Sequence, residues 1–115
     1  MDGSTNATPN GKVTYGTLTL NTTYMSTGYI AYYRRGNVVI ITCENVKPLT
    51  AGNDKLICPL PFTPIDNQRA FGSLHSPSGV VVGLILADWR NAELYGNFSD
   101  ASGGLYGSIT YFTDA

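Results

Sequence analysis

Gly28-Tyr29-Ile30-Ala31-Tyr32-Tyr33-Arg34-Arg35-Gly36-Asn37-Val38-Val39-Ile40-Ile41 sets two aromatic and β-branched runs on either side of a short polar break. Such side chains fit a pleated, half-buried surface. The Arg34-Arg35-Gly36-Asn37 break supplies the positive-φ residues that a tight hairpin demands, so the two runs are expected to pair antiparallel. A second unit of the same kind follows downstream. Asp88-Trp89-Arg90-Asn91 separates the apolar run Val80-Val81-Val82-Gly83-Leu84-Ile85-Leu86-Ala87 from Ala92-Glu93-Leu94-Tyr95, which places Trp89 at a hairpin tip.

Outward from these hairpins, no window carries a 3.6-residue apolar period. Alternating or continuous apolar runs bounded by Gly, Asn, Pro or Asp recur instead. Strands are expected near 12–20, 28–34, 37–47, 69–76, 79–87, 91–98 and 104–112, with a short extra one near 55–60. Pro48, Pro59, Pro61 and Pro64 fall between the two hairpin blocks, where proline cannot donate to a central ladder, so that stretch reads as a long crossover. Two hairpin blocks and a long connection predict an all-β fold: an antiparallel β-sandwich of about seven to eight strands with Greek-key or jelly-roll connectivity. Residues 12–115 form one domain in this reading. Residues 1–11 are small, polar and aperiodic and are expected to be a flexible linker. Because the last strand stops three residues short of Ala115, the chain is expected to be the distal end of something longer.

Charged residues make up 13% of the chain and the net charge is −1, which gives no basic field for nucleic acid and no polybasic patch for a membrane surface. The Arg34-Arg35 pair reads as a solvated loop. The longest apolar run is far shorter than the ~20 residues of a spanning helix. Cys43 and Cys58 are too few for a disulfide framework and lack zinc-site spacing, so two buried free thiols are expected. The sequons at Asn6, Asn21 and Asn97 are triplets that any Asn/Thr-rich chain yields by chance.

His75 is the single histidine, which excludes a multi-histidine metal site and forces any Ser-His-Asp triad through it. Ser73 would share its strand face, yet no G-x-S-x-G elbow occurs. His75 therefore reads as a half-exposed polar residue at a strand end. Asp88 and Glu93 flank one hairpin and are the best pair for glycoside hydrolysis, which needs two facing carboxyl groups; their ordinary reading is turn chemistry and a solvated face. No cofactor or metal site is expected. Tyrosine and tryptophan join a flat apolar face to a polar handle, which suits saccharides and protein interfaces. Turn position and this chemistry single out Trp89, Arg90, Tyr95, Tyr32 and Asp88 as candidate ligand-binding residues.

Val13-Thr14-Tyr15-Gly16-Thr17-Leu18-Thr19-Leu20-Asn21, the Gly28–Val39 hairpin, Leu60-Pro61-Phe62-Thr63-Pro64 and Gly104-Leu105-Tyr106-Gly107-Ser108-Ile109-Thr110-Tyr111 together resemble the C-terminal domains of phage tail-fibre and minor structural proteins. These share an opening Thr/Leu strand, a Y-Y-(K/R)-x-G-N-x-V hairpin, a crossover of the L-P-x-x-x-x-P kind, whose prolines stand closer together here, and a closing strand. The resemblance spans roughly 13–112. It implies a homotrimeric jelly-roll head at a fibre or baseplate tip, joined to an upstream fibre segment, assembled in the bacterial cytoplasm, carried on the virion and bound to a host-surface saccharide or protein. No site residue transfers with it. Three functions are weighed: a non-enzymatic receptor-binding head, in which several copies strengthen weak contacts; a purely structural tail domain; and a small glycan hydrolase fragment.

Overall fold

The computed structural model describes residues 12–66 and 68–114. The expected linker at 1–11, with the Asn6 sequon, lies outside the described residues. Eight strands follow in chain order: β1 (Thr14–Leu18), β2 (Met25–Arg35), β3 (Val38–Pro48), β4 (Gly52–Pro59), β5 (Arg69–His75), β6 (Val81–Asp88), β7 (Glu93–Phe98) and β8 (Leu105–Phe112). They form one antiparallel sheet in the order β1-β2-β3-β8-β5-β6-β7-β4. Strands β5, β6 and β7 are joined by successive hairpins, and β8 returns to lie beside β5, which is a Greek-key arrangement.

The sheet curls on itself. The Asn21 N–H, in the β1–β2 connection, donates to the Ile57 carbonyl of β4 at 2.8 Å, so the two ends of the strand order come together. Alternate residues then face a shared interior: Ile30 from β2, Val39 and Ile41 from β3, Ile109 from β8, Leu74 from β5, Ile85 from β6 and Leu94 from β7, all buried. Each such aliphatic side chain contributes about 1.5–3 kcal/mol by leaving water.

Local chemistry explains the connections. Arg35 faces Val38 across a two-residue loop, and Gly36 takes φ 57°, as a tight hairpin requires. Asn45, at φ 56°, marks the register shift in β3 between Cys43 and Val46, after which the inward positions move from 39, 41 and 43 to 46 and 48. The proline-rich stretch holds β4 after all, but as the edge strand beyond β7, with Pro59 as its last residue. An edge is where a strand tolerates proline.

The remainder of the crossover caps one end of the core. The Tyr111 hydroxyl donates to the Phe62 carbonyl at 2.6 Å, the Thr113 hydroxyl to the Thr63 carbonyl at 2.7 Å, and the Ile65 N–H to the Phe112 carbonyl at 2.9 Å. The Phe62 ring meets Tyr32 edge-on, with ring centroids 5.5 Å apart. The Arg34 guanidinium lies over the same ring at 4.5 Å, while its Nε donates to the Gly36 carbonyl at 2.8 Å. This corrects the reading of Arg34-Arg35 as a solvated loop: Arg34 belongs to β2 and is buried, and only Arg35 is exposed. Stacking on Phe62 and the carbonyl bond make that burial tolerable for a charged group.

Cys43 and Cys58 are free, buried and part of one core cluster. Burial pushes each thiol pKa up to about 12. Since the thiolate is the reactive form, native protein at pH 8 is expected to resist a disulfide-exchange dye, and both thiols should react at once in denaturant. Labelling of the folded protein at the rate of a free thiol would contradict their burial.

Candidate functional site

Two surface grooves offer side-chain chemistry. The first lies at the β6–β7 hairpin and gathers three of the five sequence-predicted residues. Asp88 ends β6 and Glu93 opens β7 directly opposite it. Between them the Ala92 N–H donates to the Asp88 carbonyl at 3.0 Å, and Ala92 itself takes φ 53°. Asp88, Arg90 and Tyr95, with Asp54, Leu86 and Asn91, line a cavity of about 320 Å³. Trp89 is half-buried at the first loop position and does not line it. Tyr32 lies elsewhere, packed on Phe62.

The polar groups of this hairpin are bonded to one another. Arg90 grips Asp88 with two side-chain bonds, Nη2 to Oδ2 at 2.8 Å and Nε to Oδ1 at 3.2 Å, and its backbone N–H adds a third at 3.0 Å. Arg69 stands 4.0 Å from the same carboxylate. The Asn91 amide donates to the Tyr95 hydroxyl at 2.8 Å, which donates in turn to Glu93 at 2.5 Å. That bond, with burial, pushes the Tyr95 pKa up to about 12. The hairpin is therefore a self-satisfied lock, with little bonding capacity left over for a ligand.

Hydrogen bonding from Arg90 holds the Asp88 carboxyl below its ordinary value of 3.8, against the opposing effect of burial. A carboxyl whose folded pKa is lowered stabilises the fold above its unfolded pKa, and that stability disappears as pH falls through the folded value. Asp88→Asn is expected to lower stability by about 1 kcal/mol at pH 7, an amount held down by the exposure of Arg90. The deficit should be fully present well above pH ~4, shrink as pH falls below that, and vanish only once pH has passed below the lowered folded value. Urea midpoints measured at both pH values check this; an equal deficit at low pH would remove the charged pair as the cause.

The second groove runs along the outer face of β3, β8 and β5. Alternation places Thr42 and Glu44 of β3, Tyr106 and Ser108 of β8, and Ser73 and His75 of β5 outward together. The register fixes their neighbours: Thr42 faces Ser108, and His75 faces Tyr106. This cavity of about 380 Å³ shares His75 and Tyr106 with a neighbouring one of about 400 Å³, walled by the Ser76–Gly79 turn. That turn is closed by the Gly79 N–H on the Ser76 carbonyl at 2.8 Å and by the Val80 N–H on Ser76 Oγ at 3.2 Å, with Gly79 at φ 91°. The two cavities make one open trough with Tyr106, 38% exposed, at its middle.

Ser73 Oγ and His75 Nε2 are 3.1 Å apart, as expected for residues sharing a strand face. The distance suits a nucleophile and base, but no described carboxylate bonds the other ring nitrogen, and Ser73 sits in the regular β5–β6 ladder opposite Leu84. An oxyanion needs free donors aimed at it. Among the described residues, the side chains of Thr42, Glu44 and Ser108 and the Tyr106 hydroxyl make no hydrogen bond within the protein. Sequence reasoning met Glu44 as one of several carboxylates and Tyr106 as one of several tyrosines but placed none of these four in its candidate site, because their meeting depends on the pairing of β8 with both β3 and β5. Alternation alone could have placed each on an outer face. No three His, Cys, Asp or Glu side chains among the described residues come together as metal ligands. Comparison of the chain with protein-family models, with curated proteins and with solved structures finds no match.

Proposed function

We propose that this domain is a non-enzymatic binding head that holds a saccharide of a bacterial host surface in the trough around Tyr106. One observation carries the reading: an exposed aromatic ring is flanked by Glu44, Thr42 and Ser108, whose hydrogen-bonding groups are unused inside the protein. A sugar presents the complementary pair of surfaces, an apolar ring face and a rim of hydroxyls. The resemblance to phage tail-fibre and minor structural proteins supplies the setting: a fibre or baseplate tip on the virion, carried as a homotrimer. Multiple copies would turn weak single contacts into durable attachment.

Support for the non-enzymatic part comes from the best carboxylate pair. A general acid for glycoside cleavage needs a raised pKa. Asp88 is shifted down by Arg90, and Glu93 is engaged by Tyr95. The structural-tail alternative is favoured by a different feature, the exposed apolar residues of β1, β2, β3 and β8.

A glycan array and a whole-cell binding assay with the purified domain test the reading. Saturable binding that competes with free saccharide would support it. Absence of binding to any bacterial surface, from protein of confirmed mass and fold, would shift the function to virion assembly.

A further inference from the structure

We propose that the outer face of β1, β2, β3 and the distal half of β8 is the surface on which a second copy of this chain packs. The register sets the residues side by side: Tyr15 faces Tyr33, Tyr33 faces Ile40, and Val38 faces Phe112. All five are directed away from the core and exposed, Tyr15 by 74%, Phe112 by 61%, Tyr33 by 42%, Ile40 by 38% and Val38 by 36%. The Tyr15 and Tyr33 rings lie 6.3 Å apart. A shallow groove of about 350 Å³ runs beside Tyr33, Val38 and Ile40.

Together these five side chains expose roughly 500–600 Å², at the upper end of what a monomer leaves uncovered and most of the ~800 Å² that each partner contributes to a stable interface. Arg35 faces Val38 and lines the groove, so the stripe carries one positive charge on these strands and no acidic side chain, and the Arg35 stem can lie along the apolar surface. The adjoining edge favours the same occupant. Strand β1, Thr-Tyr-Gly-Thr-Leu, has no charge, proline or register shift, whereas the opposite edge β4 carries Lys55, Pro59, two register shifts and Asp54 at φ 56°. Natural edges are blunted by such devices, and β1 lacks them. Such an unblunted edge is a template for strand addition, so β1 can pair with an edge of the neighbouring copy while the stripe packs beside it.

Ile40 is one outward position from Thr42, so packing here abuts one end of the trough, while Tyr106, six residues along β8 from Phe112 and roughly 20 Å away at strand spacing, stays uncovered. The proposal is independent of the saccharide reading.

The full chain is followed by sedimentation equilibrium up to its solubility limit, alongside Tyr15→Lys and Phe112→Lys. The wild type is expected to associate, and each lysine is expected to raise the dissociation constant at least ~100-fold with the circular dichroism unchanged. If Phe112→Lys fails to fold, Tyr15→Cys serves in its place, since it should form a disulfide between copies under mild oxidation. A monomeric wild type, an oligomer indifferent to both lysines, or one broken only by Arg90→Glu at the far hairpin would each overturn the proposal.

Discussion

Adding one methyl group at Gly107 is expected to lower Tm by about 10–20 °C, corresponding to a loss of about 3 kcal/mol in a domain of this size. A Cβ built there would lie 2.2 Å from the Ser73 carbonyl oxygen and 3.2 Å from a Leu74 methyl. The reciprocal position shows the same crowding, because a Cβ on Gly72 would lie 2.4 Å from the Ser108 carbonyl oxygen. In both cases the obstacle is backbone, which cannot rotate away as a side-chain end could. Relief requires β5 and β8 to separate. That seam joins the β1-β2-β3 half of the sheet to the β6-β7-β4 half, and its ladder is short, with Leu74 facing Gly107 and His75 facing Tyr106. Overpacking by a methylene ordinarily costs about 1–3 kcal/mol. The upper end applies here because opening the seam also loosens Leu74, which is fully buried.

Gly103→Ala is the matched control. Nothing lies within 4 Å of a Cβ there, and its φ is not positive. Its stability should stay within about 0.5 kcal/mol of the parent. Urea denaturation read by tyrosine fluorescence gives both values on one scale, and an unchanged slope would show that the midpoint reports stability alone. Similar midpoints for the two variants would mean that the β5–β8 seam has room the close approach denies.

These glycines show where legibility in the sequence ends. A glycine inside a strand signals a bulge or a close approach, and only the partner strand decides between them. The Gly36 hairpin was readable because its turn chemistry and both flanking runs are local. So was the Asp88–Glu93 hairpin, whose residues the structure does bring together. Strand β4 was readable only as a short extra, since the prolines that end and surround it argue against a central strand and leave its place at the edge open. Burial of Arg34 was not readable at all, because it depends on Phe62, delivered by the far crossover. The choice of Trp89, Arg90 and Tyr95 followed turn position, which finds exposed loops but says nothing about whether their polar groups are already bonded to each other. Tyr32 looked equivalent to Tyr106 in sequence. Strand parity separates them: after the shifts in β2, Tyr32 shares the inward face with Ile30 and Arg34, whereas Tyr106 alternates outward from Leu105.

That parity makes Tyr106→Ala the most informative change for function. If the trough binds saccharide, losing the aromatic platform should weaken one site by about tenfold, near 1.4 kcal/mol, the scale of an aromatic anchor in a half-open groove. Attachment to a cell multiplies that loss. If the proposed homotrimer carries three linked sites, tenfold at each compounds toward a thousandfold in apparent affinity, so cell binding should fall to background while monovalent binding remains measurable. The ring is 38% exposed, so the change also removes packing against its strand neighbours, and Tyr106→Phe, which keeps the ring, is expected to retain both the fold and most of the binding. Glu44→Gln offers a graded companion: it keeps one acceptor and the shape, and should cost less than Tyr106→Ala. Trp89→Ala should leave binding intact, since Trp89 lines neither groove. The opposite pattern, with binding lost on Trp89→Ala and kept on Tyr106→Ala, would move the site to the hairpin despite its internal bonding. Loss on neither change would leave the outer trough without a role in attachment. A multivalent readout alone cannot separate a damaged site from a dissociated assembly. The mass of each variant is therefore measured beside its binding, and only a Tyr106→Ala protein with the parent's mass counts for the trough.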